Sequence, residues 1–410
     1  MHRVRHISLG LLIVINLGMA ACRPNSGPTP TPTATPPSIP TDLPTVAVPS
    51  GGEAVAPTAG PSPTPPGPFG PTGFPPNVNP LTGTIVNDPA FLEHRPILVK
   101  VSNESPTVRP QSGLAASDHV WEYQMEGYAM TRYTAVVYGQ SPEIVGSVRS
   151  ARLIDLEHLV DMYGGILVNS GASSNRYVGG PPRVNELLLR APYYVRVISE
   201  DFGYSDPYLV RLPGIPNQNA TGYHSLFAVP AEIWKLADEK EFNQRPVLDG
   251  MYFNPNVPAG GTPTTEFYID YPGRGPKHVW RYDEGSHLWV SYTEDQNRGT
   301  PEAVDGDYLT GGAPLAFDNV VLLYAWHTDA DFIEDEHAQL NAVRADLSGE
   351  GDAVLLRDGQ RFEVKWRRPS ASNLIQFYDA SGNIIAFKPG RTWFNVASWN
   401  VAVPEVAFAP

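Results

Sequence analysis

The chain has 410 residues, a formal net charge of −14 and one cysteine. An acidic balance of that size argues against nucleic acid, or an anionic bilayer surface, as a broad partner, because both select basic patches. With no cysteine after Cys22, an intrachain disulfide, a thiolate zinc cluster and a cysteine nucleophile in the folded part are all excluded.

Residues 1–21 read as an export signal. Arg3 and Arg5 form a basic start, Ile7 to Leu17 an apolar stretch, and Ala20-Ala21 the small residues a signal peptidase needs. The apolar stretch is shorter than the roughly 20 residues that span a bilayer. Cys22 directly behind it is the bacterial lipoprotein pattern, in which the thiol takes lipid and stable anchoring follows from more than one acyl chain. The predicted location is extracytoplasmic, anchored by lipid on Cys22 to the cell membrane.

Residues 22–78 read as a disordered tether. Runs such as Pro28-Thr29-Pro30-Thr31-Pro32 cannot bury enough apolar area to offset their ordering entropy. Proline favours extended polyproline II, so the tether could reach on the order of 150 Å.

The remaining length suits two domains, and the expected fold class is α+β. Residues 79–250 read as a mixed α/β domain. Arg95 to Val101, Arg132 to Tyr138 and Gly165 to Asn169 have strand character. Ser150 to Tyr163 and Val229 to Lys240 have helical character, the second with Pro230 in its first turn. After the Pro/Gly-rich stretch Asn254 to Pro263, residues 264–408 read as a mostly antiparallel β domain. Its strands are expected from Glu266 through Phe387, with a turn at Asp358-Gly359 and one helix near Ala338 to Asp346.

The strongest chemical signal is Gly146-Ser147-Val148-Arg149-Ser150-Ala151-Arg152. Ser147 is a candidate N-cap. At helical spacing Leu153, Leu156, Val160 and Tyr163 form an apolar stripe, and Arg149 and Arg152 continue it at the N-terminal end. Two cations there oppose the macrodipole and each other, so something negative should compensate. A protein carboxylate is one answer: Asp118, Glu122 and Glu126 are spaced to share one face of a strand. A bound anion gripped by two guanidinium forks is the other.

Weaker signals lie elsewhere. His224, within Tyr223-His224-Ser225, could join a site or serve as a structural hydrogen-bonder. Asn169-Ser170-Gly171-Ala172-Ser173 ends a strand in small residues but lacks the nucleophile-elbow pattern. Glu334 and His337, near His327, Asp329 and Asp331, have the spacing of a metal site, although a solvated acidic face explains them better. Trp366, Trp393 and Trp399 suggest core packing first and a sugar-binding shelf second.

A resemblance adds to this. Asn79-Pro80-Leu81-Thr82-Gly83, Arg109-Pro110-Gln111-Ser112-Gly113-Leu114, the arginine segment, Arg357-Asp358-Gly359 and Pro389-Gly390-Arg391-Thr392-Trp393 together resemble the YerB-like lipoproteins. That family usually has proline where Ser147 stands and Pro-His-Asn where Tyr223-His224-Ser225 stands. The resemblance implies a lipid-anchored envelope protein with a two-part domain and supplies no reaction.

The functional expectation is a binding lipoprotein that recognises an anionic or polymeric envelope component, or a partner protein. Arg149 and Arg152 would grip the anion and Arg132 would assist. Asp118, Glu122 and Asp155 would supply the carboxylates of the cluster, Glu122 and Asp155 orienting the guanidinium groups, with His224 at the rim. The alternative is an envelope hydrolase or transferase with Glu122 or His224 as acid/base. No cofactor, metal or nucleic acid is expected.

Overall fold

A computed structural model of the protein describes residues 67–104, 107–295 and 299–410. The export signal, Cys22 and the greater part of the tether lie outside the described residues.

In chain order the first strands are β1 (Ile97–Ser102), β2 (His119–Gln124), β3 (Thr131–Val137), β4 (Val145–Gly146), β5 (Ile166–Asn169), β6 (Val197–Ser199), β7 (Leu209–Arg211) and β8 (Leu226–Ala228). Helical residues 153–163 combine a π turn, Asp155–Leu159, with α1 (Val160–Tyr163). Two further helices are α2 (Val184–Arg190) and α3 (Pro230–Glu239). Then come β9 (Thr262–Pro263), β10 (Glu266–Asp270), β11 (Lys277–Asp283), β12 (Leu288–Asp295), β13 (Thr300–Val304), β14 (Ala316–Phe317) and the long β15 (Asn319–Asp335). The last strands are β16 (Leu340–Asp346), β17 (Gly349–Arg357), β18 (Gln360–Arg368), β19 (Gln376–Tyr378), β20 (Thr392–Ser398) and β21 (Glu405–Ala409).

Most of these strands join one large sheet in the order β19-β18-β17-β15-β20-β2-β3-β1-β5-β6, with β16 on β15 and β9 on β18. β20 lies parallel to β2 on one side, with His119 opposite Thr392, and parallel to β15 on the other. Strands from the two halves of the chain therefore share one hydrogen-bonded sheet. A smaller sheet, β13-β12-β11-β10-β21 with β14, and the short β4-β8-β7 complete the β structure.

Neighbouring residues of the large sheet enter opposite cores, as the two-residue period of a strand requires. Leu98, Trp121, Leu323 and Phe394 enter the first; Val99, Val120, Leu322 and Trp393 enter the second. Residues 153–163 and α2 close the first core. α3 and the smaller sheet close the second through Ile233, Trp234, Phe267, Trp280 and Trp289. Burial on both faces explains why these strands read as nearly continuous apolar runs.

The molecule is mostly β, richer in strand than the α+β expectation, and it departs from the sequence reading at four points. Residues 69–78 do not belong to a free tether: Phe69 and Phe253 exchange backbone hydrogen bonds at 2.8 Å each way, and Phe74 packs edge-on against Phe253. Two aromatic rings give this Pro-rich stretch an apolar area that residues 28–32 lack. The helix expected from Ser150 starts only at residue 153. Arg149 donates its N–H to Lys100 O at 3.0 Å, Ser170 donates to Arg149 O at 3.0 Å, and Ala151 donates to Gly171 O at 3.1 Å. Strand-like pairing on both sides thus holds residues 148–151 extended. Ser147 consequently caps nothing; its hydroxyl donates to Tyr223 O at 3.3 Å. Finally, the segment expected as a helix near 338–346 is β16, a hairpin partner of β15 with Trp326 opposite Asp346.

The turn at Asp358-Gly359 is where it was expected. Both residues take positive φ, 50° and 68°, between the paired Arg357 and Gln360, which suits a two-residue hairpin turn whose twist matches the strands.

Candidate functional site

Arg132, Arg149 and Arg152 come together where β3, the extended segment 148–151 and the first helical turn meet. Arg152 forms a fork with Glu126 (Nε to Oε2 2.6 Å, Nη2 to Oε1 2.8 Å), and its Nη1 lies 3.4 Å from Glu334 Oε1. Burial works against this guanidinium, but Glu126 and Glu334 outweigh it and push its pKa up. Burial likewise opposes the Glu126 carboxylate, yet Arg152 and Arg132 bring it down to about 2. Glu334, raised by burial, also accepts from Ser173 Oγ at 2.8 Å.

Arg149 pairs with Glu104 at 3.3 Å, and its guanidinium lies 5.9 Å from the centre of the Tyr223 ring. Its Nε is buried without a hydrogen-bond partner among the described residues. Arg132 is held by a backbone group alone among the described residues. It is 8% exposed, and its Nη1 donates to the Ser150 carbonyl at 3.1 Å. Among the described residues no carboxylate oxygen approaches it within ion-pair distance, 4.0 Å. Desolvation first, then the charges of Arg152 and Arg149, lower its pKa to about 9, with Glu126 and Glu334 opposing the shift from a distance. A buried cation in this condition gains from any anion placed beside it.

Asp155 sits one layer deeper than expected and meets Lys100 instead of the arginines. Its Oδ2 lies 3.2 Å from Lys100 Nζ and accepts the Arg152 N–H at 2.8 Å. Its Oδ1 accepts from Tyr123 OH at 2.6 Å and Thr134 Oγ1 at 2.8 Å. Lys100 also donates to Tyr123 OH and Thr134 Oγ1. Desolvation is the chief reason its pKa falls to about 7, with Asp155 opposing that shift and Arg132 adding to it. This layer fixes the start of the helix and hence the position of Arg152.

The alternation expected of Asp118, Glu122 and Glu126 does not bring all three to the arginines. β2 covers only His119–Gln124, so Asp118 precedes it and Glu126 follows it in a 3-10 turn. Asp118 binds the Asn79 amide and accepts the Tyr138 N–H at 2.7 Å; burial raises its pKa to about 6. Glu122 faces the second core. His224 stands in the 3-10 turn Gly222–His224, next to Tyr223, whose ring faces the Arg149 guanidinium.

Glu122 belongs to a buried chain that spacing alone did not reveal. His278 Nδ1 lies 2.7 Å from Glu122 Oε2, and His278 Nε2 lies 2.7 Å from Ser291 Oγ. This is the geometry of a serine–histidine–carboxylate triad, but the chemistry is blocked. Ser291 is fully buried, and its hydroxyl donates to Asp305 Oδ2 at 2.6 Å. Asp305 in turn holds Arg109 at 2.7 Å. Glu122 also accepts from Thr131 Oγ1 at 2.8 Å and from Asn103 Nδ2 at 3.3 Å; fully buried and held by three donors, it is not placed as an exposed base. The chain ties β2 to the smaller sheet across the second core. Its partners come from strands 156 residues apart, and local pattern carries no mark of such a pairing.

The acidic stretch from His327 to His337 is dispersed. Glu334 turns to Arg152, while His327 Nδ1 lies 3.0 Å from Ala325 O. Among the described residues no group of three or more ligand side chains is arranged to hold a metal.

Comparison with known proteins agrees with the segments that carried the resemblance. Residues 81–243 match the family described as "Protein of unknown function (DUF3048) N-terminal domain", and residues 267–394 match its C-terminal domain. The chain is 27% identical over 322 residues to "Putative lipoprotein YerB" of Bacillus subtilis (strain 168), covering 77% of this chain and 85% of the relative. Its fold is similar to the crystal structure of YerB protein from Bacillus subtilis, with a TM-score of 0.60 and 24% identity, covering 80% of this chain and 99% of that one. The chain belongs to the YerB-like family of two-part proteins of unknown function.

Proposed function

We propose that this protein is a lipid-anchored extracytoplasmic binding protein that holds an anionic group of an envelope component or partner at Arg132 and Arg149. The address rests on Cys22 behind the export signal and on the name of the Bacillus subtilis relative, which describes a lipoprotein. Among the described residues no helix is long and apolar enough to cross a membrane. The tether would give the folded part reach, which serves capture more than chemistry.

The observation that carries the binding reading is the state of Arg132, buried beside Arg152 and Arg149, with Glu126 and Glu334 acting on it only from beyond ion-pair distance and, among the described residues, a backbone carbonyl as its hydrogen-bond acceptor. Arg152 is already occupied by Glu126 and acts as scaffold. Arg149, with its unpartnered Nε and an aromatic neighbour, forms the second arm. A phosphate or carboxylate bridging the two would convert unfavourable mutual repulsion into charge-assisted hydrogen bonds.

The double substitution Arg132→Met/Arg149→Met tests this while leaving the Arg152 fork intact. Retention of the purified protein on isolated envelope material is expected to fall about ten-fold or more, a loss of about 1.4 kcal/mol. Equal retention by a variant with an unchanged circular dichroism spectrum would rule the site out.

A further inference from the structure

A second feature lies on the opposite face of the large sheet, independent of the arginines. Along β15, Val320 and Leu322 enter the second core, and Tyr324 and Trp326 continue the same face past it. Trp326 is 47% exposed, and Trp399, just after β20, is 56% exposed. Their ring centres are 4.8 Å apart with planes inclined at 66°, so the two indoles form an open corner. A groove of about 440 Å³ beside it is lined by Tyr324, Glu350, Gly351, Asp352 and Trp399.

The corner is rigid. Asn400 Oδ1 accepts the His327 N–H at 2.8 Å, and Asn400 Nδ2 donates to His327 O at 2.8 Å. This double link clamps the turn carrying Trp399 to the strand residue next to Trp326. Gly351 beneath the groove lets Trp366 pack from the first core, since an added Cβ would lie 2.5 Å from Trp366 Nε1 and 3.0 Å from Tyr324 O. Its rim along β17 and β18 is charged: Glu350 pairs with Arg367 at 3.0 Å, and Asp352 pairs with Lys365.

We propose that Trp326, Trp399 and Tyr324, with Glu350 and Asp352, form a subsite for a chain of β-linked pyranose sugars. The equatorial substituents of such sugars leave axial C–H bonds on a flat, weakly positive face, which matches the negative face of an indole. The carboxylates accept hydroxyl hydrogens, while Lys365 and Arg367 supply donors to hydroxyl and ring oxygens. The groove falls within the roughly 300–1,000 Å³ of ordinary small-ligand sites, with an aromatic wall and a few polar groups fixing orientation. A bilayer fits less well, because inserting the indoles would desolvate the flanking charges. A protein partner fits less well too: the exposed parts of the two tryptophans amount to on the order of 250 Å², against about 800 Å² per side in a standard interface.

Calorimetric titration of the purified protein with tetra-N-acetylchitotetraose and with cellotetraose tests the proposal. At least one is expected to bind, with affinity reduced about ten-fold in Trp326→Ala and in Trp399→Ala. Asp352→Ala, a rim change that leaves the aromatic core untouched, should weaken it as well. Arg132→Met/Arg149→Met should bind the same sugar as wild type, which separates this site from the anion site. The proposal is overturned if neither tetrasaccharide binds, if binding survives both tryptophan substitutions, or if those residues instead govern attachment to phosphatidylglycerol vesicles.

Discussion

Asp155→Ala is expected to remove about 3–5 kcal/mol of folding stability, the cost of leaving a buried charge without its partner. The substitution strands the Lys100 ammonium, the Tyr123 and Thr134 hydroxyls and the Arg152 N–H together. It also removes the acceptor that terminates the extended segment and starts the helix. The double variant Lys100→Met/Asp155→Leu, which replaces both charges by apolar groups, should be the more stable of the two, because no orphan charge remains. Urea unfolding followed by circular dichroism gives both values. A single variant that loses less than about 1 kcal/mol would mean that the pair is not desolvated as described.

Trp393→Ala is expected to cost about 3–5 kcal/mol, as large-to-small changes at buried aromatic positions do. The ring lies within 4.8 to 5.3 Å, centre to centre, of Tyr133, His278, Trp280 and Phe317, so little can collapse into the space it leaves. Its strand, β20, stands between β2 and β15, where the two halves of the chain meet. Hydrogen exchange should therefore show amides of β3 and β17 losing protection together in the variant. Independent loss in one half would contradict a single cooperative sheet.

Much of the fold was legible where the physics is local. The stripe Leu153, Leu156, Val160 and Tyr163 is buried as its spacing requires, and α3 begins at the proline that marked its first turn. Alternation and turn residues found the β17–β18 hairpin. The sequence reading failed where distant backbone decided the outcome. Residues 148–151 have side chains that suit a helix, but Lys100 and Gly171 capture their N–H groups, and no helical wheel contains that information. β16 was misread for the same reason: its partner, β15, overrides its weak local preference.

The candidate site was legible in its cations and in one of its anions. Arg149, Arg152 and Arg132 do converge, and Glu126, one of the carboxylates expected there, pairs with Arg152, whereas neither Asp118, Glu122 nor Asp155 pairs with a guanidinium group. Glu104 and Glu334 fill the remaining places. A carboxylate on β15 and one in the loop after β1 can reach the cluster only because the large sheet is assembled. The exposed indole pair likewise depends on Asn400, whose two bonds to His327 join segments 73 residues apart.

The anion site can be examined most directly by soaking crystals of the protein in selenate and recording anomalous diffraction. The account predicts a selenium peak in contact with the Arg132 guanidinium and Arg149 Nε, and its disappearance in Arg132→Met. A clean map showing Arg132 still bound only to the Ser150 carbonyl, with no peak beside it, would contradict it.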